Sequence, residues 1–591
     1  MSNDRSARRP KSRRHMPEAG PASPSAPPAR WLKLATLILT AACLLCLFSP
    51  EIADTDFWWH LKTGEFLLQH HSLPVPDPFA FTTALAPTTA AESSVRHFNL
   101  THEWLGQVAL YAVYAVAGFP GIVLLRALLL AALCGLSGFL AARVSSNFYA
   151  GVAAACAAAS VLIAFAADRP TLVTFLGVGI FITILELRRG LWALPPLALL
   201  WANSHGGFLL GWVVLLAYCV ETLPFLPGTR SREDNRRMWL VTACAIAASG
   251  LNPNGFGVVQ TLFAYRQSAL TATLIEWQPP KLWGAPYGFD ILLYAAALVL
   301  LLSWRRVRPA HWLLFAAFAG ASLVAFRNIP LIGFFAPVLI AAYFPFRLAV
   351  PRFLAWAPPV LAAGALVAAL AQGRTPQLRV AEWTVPSGAA SFLLDHHLTG
   401  PLFNTYEQGG YLTWRMWPSQ RVFIDGRSLS EAVYQDYNRI LFNAGSAADQ
   451  VTGPREELLN RYGVQVVIMN TMEYVFGAMY PLALALANPA GTEWELVYDD
   501  AQAVVFVRHP APGVPVLPNK LGRVLRHLNR ECEAYIANSP DTPACARTLA
   551  DYWIRNQAND AARKMLLLYL EHTPRRDEQA ELALQRLGAG R

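Results

Sequence analysis

From Trp31 to about residue 371 the chain is a series of long apolar runs separated by short polar breaks, and beyond residue 372 no apolar run is long enough to continue the series. A helix needs about 20 mainly apolar residues to cross a bilayer, so the first part reads as membrane-spanning and the second does not. The breaks predict about eleven spans, from 31–49 and 120–142 to 329–346 and 353–371. Residues 103–117 read instead as a short helix lying in the interface, closed by the Gly118-Phe-Pro-Gly121 break. After 372 the pattern changes to short buried strands at 400–404, 421–425, 464–469, 494–498 and 503–507, with helical stretches such as 430–442. The predicted fold is a polytopic α-helical membrane protein carrying an α/β domain over 372–517. A charged helical segment, 518–591, follows, with the spacing of a tetratricopeptide-like hairpin in too few copies for a solenoid.

Composition agrees: of 591 residues, 54% are hydrophobic and only 15% charged, too apolar for a soluble chain of this length. The net charge of +9 is spread in small clusters between apolar runs rather than on one soluble face, so nucleic acid is not an expected partner. Residues 1–30, rich in Arg, Pro, Ser and Ala, form a disordered tail, and their basic residues place the N-terminus in the cytoplasm. With that anchor, residues 31–371 form the membrane domain and 50–119 a long first outer loop. Arg143, Arg188-Arg189, Arg230 to Arg237, Arg305 to Arg308 and Arg347 to Arg352 then fall on the inner side. The C-terminal domain falls outside, where Cys532 and Cys545 can pair; two free thiols there would argue for a cytoplasmic tail.

The same parity brings the polar motifs to the outer face, an assignment that inverts if 103–117 spans. Asp54-Thr-Asp56-Phe-Trp-Trp-His60 sets two carboxylates and an imidazole beside interfacial tryptophans, with Asp56 and His60 on one helical face. A bare pair of acids is also what caps a surface helix. His102-Glu103-Trp104 adds a second acid and imidazole, although Glu103 equally suits the first turn of a helix. Asp168-Arg169-Pro170 opens a span, with Asp168 as a cap or as a third acid. Arg169 and Arg327 are candidates for holding a lipid phosphate, the alternative being that they snorkel to headgroups. Asn203-Ser-His205-Gly-Gly207 reads as a helix-hairpin turn or as a ligand or base, Asn252-Pro-Asn254-Gly255 as a loop, and Glu276-Trp277-Gln-Pro-Pro280 as part of an ordered cover over a cavity. In the C-terminal domain, Gly409-Gly410 and Asp425-Gly-Arg427 read as turns.

Together, the Asp54/Asp56 pair in a long first outer loop, a further acid at Asp168 in the next, and a soluble C-terminal domain resemble the GT-C superfamily of membrane glycosyltransferases. More narrowly, Asp54 to Gly64, His102-Glu-Trp104, Asn404-Thr-Tyr-Glu-Gln-Gly-Gly410-Tyr and Phe423-Ile-Asp-Gly-Arg427 are similar to a bacterial subgroup of it. The resemblance implies an inner-membrane enzyme with its C-terminal domain outside, a polyprenyl-phosphate sugar donor, membrane lipids as surroundings, an acceptor of unstated kind and inversion at the anomeric carbon. It assigns Asp54 or Asp56 as general base or as metal ligand, with His60, Glu103 and Asp168 as further catalytic candidates. His102, Asn203, His205, Glu276, Arg169 and Arg327 are candidates for substrate or phosphate binding. Asp54, Asp56 and Asp168 would be the ligands of Mg²⁺ or Mn²⁺, with Arg169-Pro170 after the second acid as the departure from the pattern. Two other classes fit the apolar pattern, a lipid-linked-sugar transporter or flippase and a non-catalytic scaffold. The gathering of motifs at one face, with no internal repeat, favours the enzyme.

Overall fold

A computed structural model of the chain describes residues 30–85, 89–223, 231–267, 274–283, 288–345, 356–372, 376–427, 429–442, 454–489 and 493–589. Residues 1–29 of the predicted disordered tail, Arg230 and the basic residues 347–352 lie outside them, while Arg30, expected to end the tail, opens the first helix. The apolar part folds as helices α1 (Arg30–Leu47), α2 (Phe57–His70), α3 (Ala90–Thr101), α4 (Trp104–Ser145), α5 (Phe148–Leu162), α6 (Thr171–Leu187), α7 (Leu194–Ser204), α8 (Leu209–Val220), α9 (Arg232–Ser249), α10 (Val258–Gln267), α11 (Phe289–Leu302), α12 (Pro309–Val324), α13 (Ile329–Tyr343) and α14 (Ala357–Ala371). Among the described residues, four helical stretches have the length and hydropathy of a span: Arg30–Leu47, Ala90–Ser145, Phe148–Phe165 and Phe326–Tyr343. Several others expected to span are apolar helices of 10–17 residues, because Pro, Gly and short polar breaks interrupt them.

The break at residue 118 is a kink inside α4: Gly118 adopts φ 60°, ψ −157°, open to glycine, and Pro120 follows. The segment 104–117 is thereby separated in direction from 119–145. Helix α13 is buried on nearly all sides, with Phe334 and Phe335 at 1% and 0% exposure, as befits a helix apolar all round at the centre of a bundle. At one end of the bundle, Arg308 joins Glu186 and Glu221, and His311 joins Glu186 and Tyr343; these ion pairs tie the ends of α6, α8, α12 and α13. The candidate site lies at the opposite ends of α6, α8, α12 and α13.

Beyond residue 376 come α15 (Ser387–Asp395), α16 (Tyr406–Met416), α17 (Glu431–Phe442), α18 (Pro454–Arg461) and α19 (Pro481–Leu486) around strands β1 (Leu402–Asn404), β2 (Val466–Met469), β3 (Trp494–Asp499) and β4 (Val504–Arg508). The mixed sheet runs β1-β2-β4-β3, with β1 parallel to β2 and the other pairs antiparallel. Four of the five predicted strands form it. The fifth, 421–425, is extended but makes one bridge, Val422 to Ala80, because its backbone is used by the loop after α2 instead of by the sheet. The segments on either side of α2 meet the C-terminal unit elsewhere too, among other contacts through the Ile52–Val380 bridge, Thr82 Oγ1 donating to Phe423 O at 2.6 Å, and Arg427 against Asp77. Helices α20 (Lys520–Asn538), α21 (Ala544–Arg555), α22 (Asn559–His572) and α23 (Glu578–Ala589) close the chain, with Cys532 and Cys545 disulfide-bonded.

Candidate functional site

Four segments distant in sequence bring charge to one place. Asp54 and Asp56 precede α2, Arg169 precedes α6, Glu276 lies in a short 3-10 turn after α10, and Arg327 in another before α13. Arg169 grips Asp54 bidentately, Nε to Oδ2 at 2.5 Å and Nη2 to Oδ1 at 2.7 Å. Its Nη1 lies 2.7 Å from Asp56 Oδ2 and 3.8 Å from Glu276 Oε2. Arg327 donates to Glu276 Oε1 at 3.1 Å while its guanidinium stacks over Trp277. Asp56 stands at the N-terminal boundary of α2 without capping it through its side chain; Asp54 Oδ1 instead accepts the Asp56 N–H at 3.1 Å. The acids are thus not the caps of a surface helix.

The two carboxyls are made unequal by their surroundings. Burial works against ionising Asp54, but the charge and paired hydrogen bonds of Arg169 overcome it and hold this carboxyl below its ordinary value. Burial also opposes ionisation of Asp56, whose share of Arg169 is smaller and whose neighbour Asp54 is already negative, so it is pushed up to about 6. A carboxylate raised toward neutrality is a stronger base than an ordinary one.

A second group centres on Glu103, 7% exposed. His60 Nδ1 lies 3.2 Å from Oε2, His102 Nε2 3.1 Å from Oε1 and His205 Nε2 3.4 Å from Oε1. Burial opposes the Glu103 charge, but the three imidazoles outweigh it and hold the carboxyl well below the usual range. Burial pushes His60 down to about 4 and His205 down to about 3. His205 Nδ1 accepts the Gly207 N–H at 3.0 Å and faces Thr174 Oγ1 at 2.6 Å, which leaves the ring proton on Nε2, toward Thr171 Oγ1 at 2.7 Å. Although Asp56 and His60 are four residues apart, His60 turns to Glu103 and Gln107, not to the acidic pair. Asn203 is a staple: its Oδ1 accepts from Trp104 Nε1 at 2.8 Å and its Nδ2 donates to Leu251 O at 2.9 Å.

Asp168 does not face the site. It is buried against Arg126, Nη1 to Oδ2 at 2.5 Å, with the two side chains 0% and 2% exposed. Arg126 also donates to the carbonyls of Phe48 and Pro50. The pair anchors the end of α1 to α4, and the adjacent Arg169 carries the contact to the acids. Arg126 was not singled out above; a lone arginine in an otherwise apolar run was the available signal, since such a charge demands an internal partner.

The C-terminal unit completes the site. Gly409 and Gly410, expected to mark a turn, sit inside α16; a Cβ on Gly409 would lie 2.0 Å from Ile424 O, and one on Gly410 2.7 Å from Thr55 O. The Asp425-Gly-Arg427 turn packs directly on the acidic pair. A Cβ on Gly426 would lie 1.8 Å from Asp56 Oδ1. Arg427 bonds Asp425 through Nε at 2.9 Å and Nη2 at 2.5 Å, and Asp77 through Nη1 at 2.6 Å; Asn99 Nδ2 donates to Arg427 O at 3.1 Å.

Charge alone would suit the Asp54–Asp56 pair to Mg²⁺ or Mn²⁺, which take oxygen ligands. The residues present do not fit one: both Asp54 oxygens and Asp56 Oδ2 are committed to Arg169, and Asp168 belongs to Arg126. Among the described residues no group of three or more His, Cys, Asp or Glu side chains is arranged to hold a metal ion.

No protein-family model and no curated protein matches the chain. Among solved structures, the archaeal oligosaccharyltransferase AglB from Archaeoglobus fulgidus, in complex with an inhibitory peptide and a dolichol-phosphate, is similar with a TM-score of 0.52. The match covers 82% of this chain and 75% of that one at 12% sequence identity. The likeness is one of fold: this chain is a multi-pass membrane protein with a fold of the GT-C type.

Proposed function

We propose that the protein is a glycosyltransferase that moves a sugar from a polyprenyl-phosphate donor to a lipid, glycan or protein acceptor at the outer face of a bacterial inner membrane. The observation that carries this reading is the meeting of Asp54, Asp56 and Glu276 with Arg169 and Arg327, at one end of a GT-C-type bundle and under a soluble unit. Asp56, with its raised carboxyl, is the base. It takes the proton of the acceptor nucleophile, whose electron pair forms the new bond to the anomeric carbon. The bond from that carbon to the phosphate oxygen breaks, and the electron pair leaves with the polyprenyl phosphate. A single displacement of this kind inverts the anomeric centre.

Arg327, half-buried, with its guanidinium over Trp277 and its Nη1 on Glu276 Oε1, meets the charge developing on the departing phosphate, and Arg169 borders it. The Glu103–histidine group holds the floor of the site by fixing α2, α4 and the α7–α8 junction to each other. The likeness to a structure that contains dolichol-phosphate supports the donor class. The basic N-terminal tail and the Cys532–Cys545 disulfide support an orientation with the C-terminal unit outside.

The test is release of polyprenyl phosphate from a radiolabelled lipid-linked sugar by the purified protein, repeated with Asp54→Asn and Asp56→Asn. Loss of turnover in variants that fold as the parent does supports the site, and unchanged turnover in both removes it.

A further inference from the structure

We propose that Arg169 is the resident cation of this site, standing where a divalent ion would sit among the carboxylates, and that the site holds no such ion while Arg169 is in place. Three acids point at one guanidinium. Asp54 spends both oxygens on it, and its Oδ1 accepts the Asp56 N–H as well. Asp56 gives Oδ2 to Nη1, and its Oδ1 is covered by Gly426. Glu276 approaches the same Nη1 and is shared with Arg327.

A Mg²⁺ or Mn²⁺ ion would need these oxygens about 2.0–2.2 Å from a single point, and Mg²⁺ in near-octahedral arrangement. Around a planar guanidinium they are instead spread along its edges, each aimed at a different N–H. An ion entering the group would also meet two positive charges already there, Arg169 and Arg327. The third acid that would complete a metal cage, Asp168, is turned into the bundle and neutralised by Arg126. The arginine directly after Asp168 is therefore the feature that converts a metal-binding pattern into an internally neutralised one. Lysine would be a poor replacement, because a point charge cannot bond two oxygens of Asp54 and one of Asp56 in a single plane. The inference rests on the arrangement of these side chains and holds whatever group is transferred.

Mn²⁺ binding to the purified full-length protein, followed by electron paramagnetic resonance, reads this without any turnover. Wild type, Asp54→Asn and Asp56→Asn are expected to give the same isotherm. Arg169→Ala is expected to bind one Mn²⁺ at least tenfold more tightly than wild type, and to lose it when Asp54→Asn is added; Arg169→Lys is not expected to gain it. A Mn²⁺ site in the wild type that either Asn variant abolishes overturns the proposal, and this arm needs no Arg169 variant to fold. Arg169→Ala protein that melts as the parent does and binds no more Mn²⁺ than wild type overturns it equally. Failure of the transfer assay leaves both readouts standing.

Discussion

Replacing Gly426 by alanine tests whether the C-terminal turn positions the base. The added Cβ would lie 1.8 Å from Asp56 Oδ1, 2.8 Å from its Cγ and 3.0 Å from Trp59 Nε1. Ordinary contact for these atoms begins at about 3.4 Å, so roughly 1.6 Å of movement is required. The turn is the stiffer partner: Asp425 and Arg427 are 3% and 4% exposed, and Arg427 is bonded to two carboxylates. Asp56, 19% exposed at its side chain, is the group that moves, stretching its 2.7 Å contact with Arg169 beyond ion-pair range. A misplacement of about 1 Å costs on the order of 100-fold in rate, or about 2.7 kcal/mol of transition-state stabilisation. Overpacking costs about 1–3 kcal/mol of stability in addition. Release of polyprenyl phosphate, normalised to folded protein, is expected to fall about 100-fold in kcat/KM. Gly320→Ala is the control, because a Cβ there meets nothing within 4 Å. Parental kcat/KM in Gly426→Ala, with unchanged melting, would refute the claim that the turn sets the position of Asp56.

Other outcomes follow from the same geometry. Asp56 must be ionised to accept a proton and its carboxyl lies at about 6. Log kcat/KM should therefore be level above that pH and fall with unit slope below it, whereas a flat profile from pH 7 to about 5 rules Asp56 out as the base. Asp168→Asn leaves the buried Arg126 charge uncompensated and should cost about 3–5 kcal/mol, with turnover per folded molecule retained; a large turnover loss in stably folded protein would return Asp168 to the catalytic set. The Arg126→Met, Asp168→Leu double variant should melt closer to wild type than Asp168→Asn does. Opening the Cys532–Cys545 bond by a double Ala substitution should cost about 2–4 kcal/mol, and peptide mapping without reductant should find the two residues joined in protein from cells. Two free thiols there would put the C-terminus in the cytoplasm.

The membrane class and the strands that form the C-terminal sheet were legible because each rests on local pattern. Apolar run length, alternation in strands and charge in loops are properties of neighbouring residues. Which polar residue touches which was not legible. Asp168 and Arg169 are adjacent, yet one turns into the bundle toward Arg126 and the other out toward Asp54, and nothing in the tripeptide distinguishes them. His60 shares a helical face with Asp56 by spacing, but α2 packs against α4 and its imidazole is taken by Glu103. Gly409, Gly410 and Gly426 read as turn residues because glycine commonly marks turns. Gly410 and Gly426 instead permit close approach to Thr55 and Asp56, contacts between segments more than 350 residues apart that periodicity cannot encode, while Gly409 lets α16 close on Ile424 and Asp425. The strand expected at 421–425 failed for a like reason, its pairing partner Ala80 lying in the distant loop after α2.

The placement of the Asp425-Gly-Arg427 turn against Asp56 also sets an order of events during synthesis. The acidic pair leaves the ribosome early, but the backbone that seats it follows 371 residues later, counting from Asp56 to Arg427. At about 5–20 residues per second this is an interval of roughly 20–70 s. Throughout it the acidic pair lacks the turn that covers Asp56 Oδ1. On the proposed function, a chain truncated before residue 427 is expected to lack the backbone that seats the base.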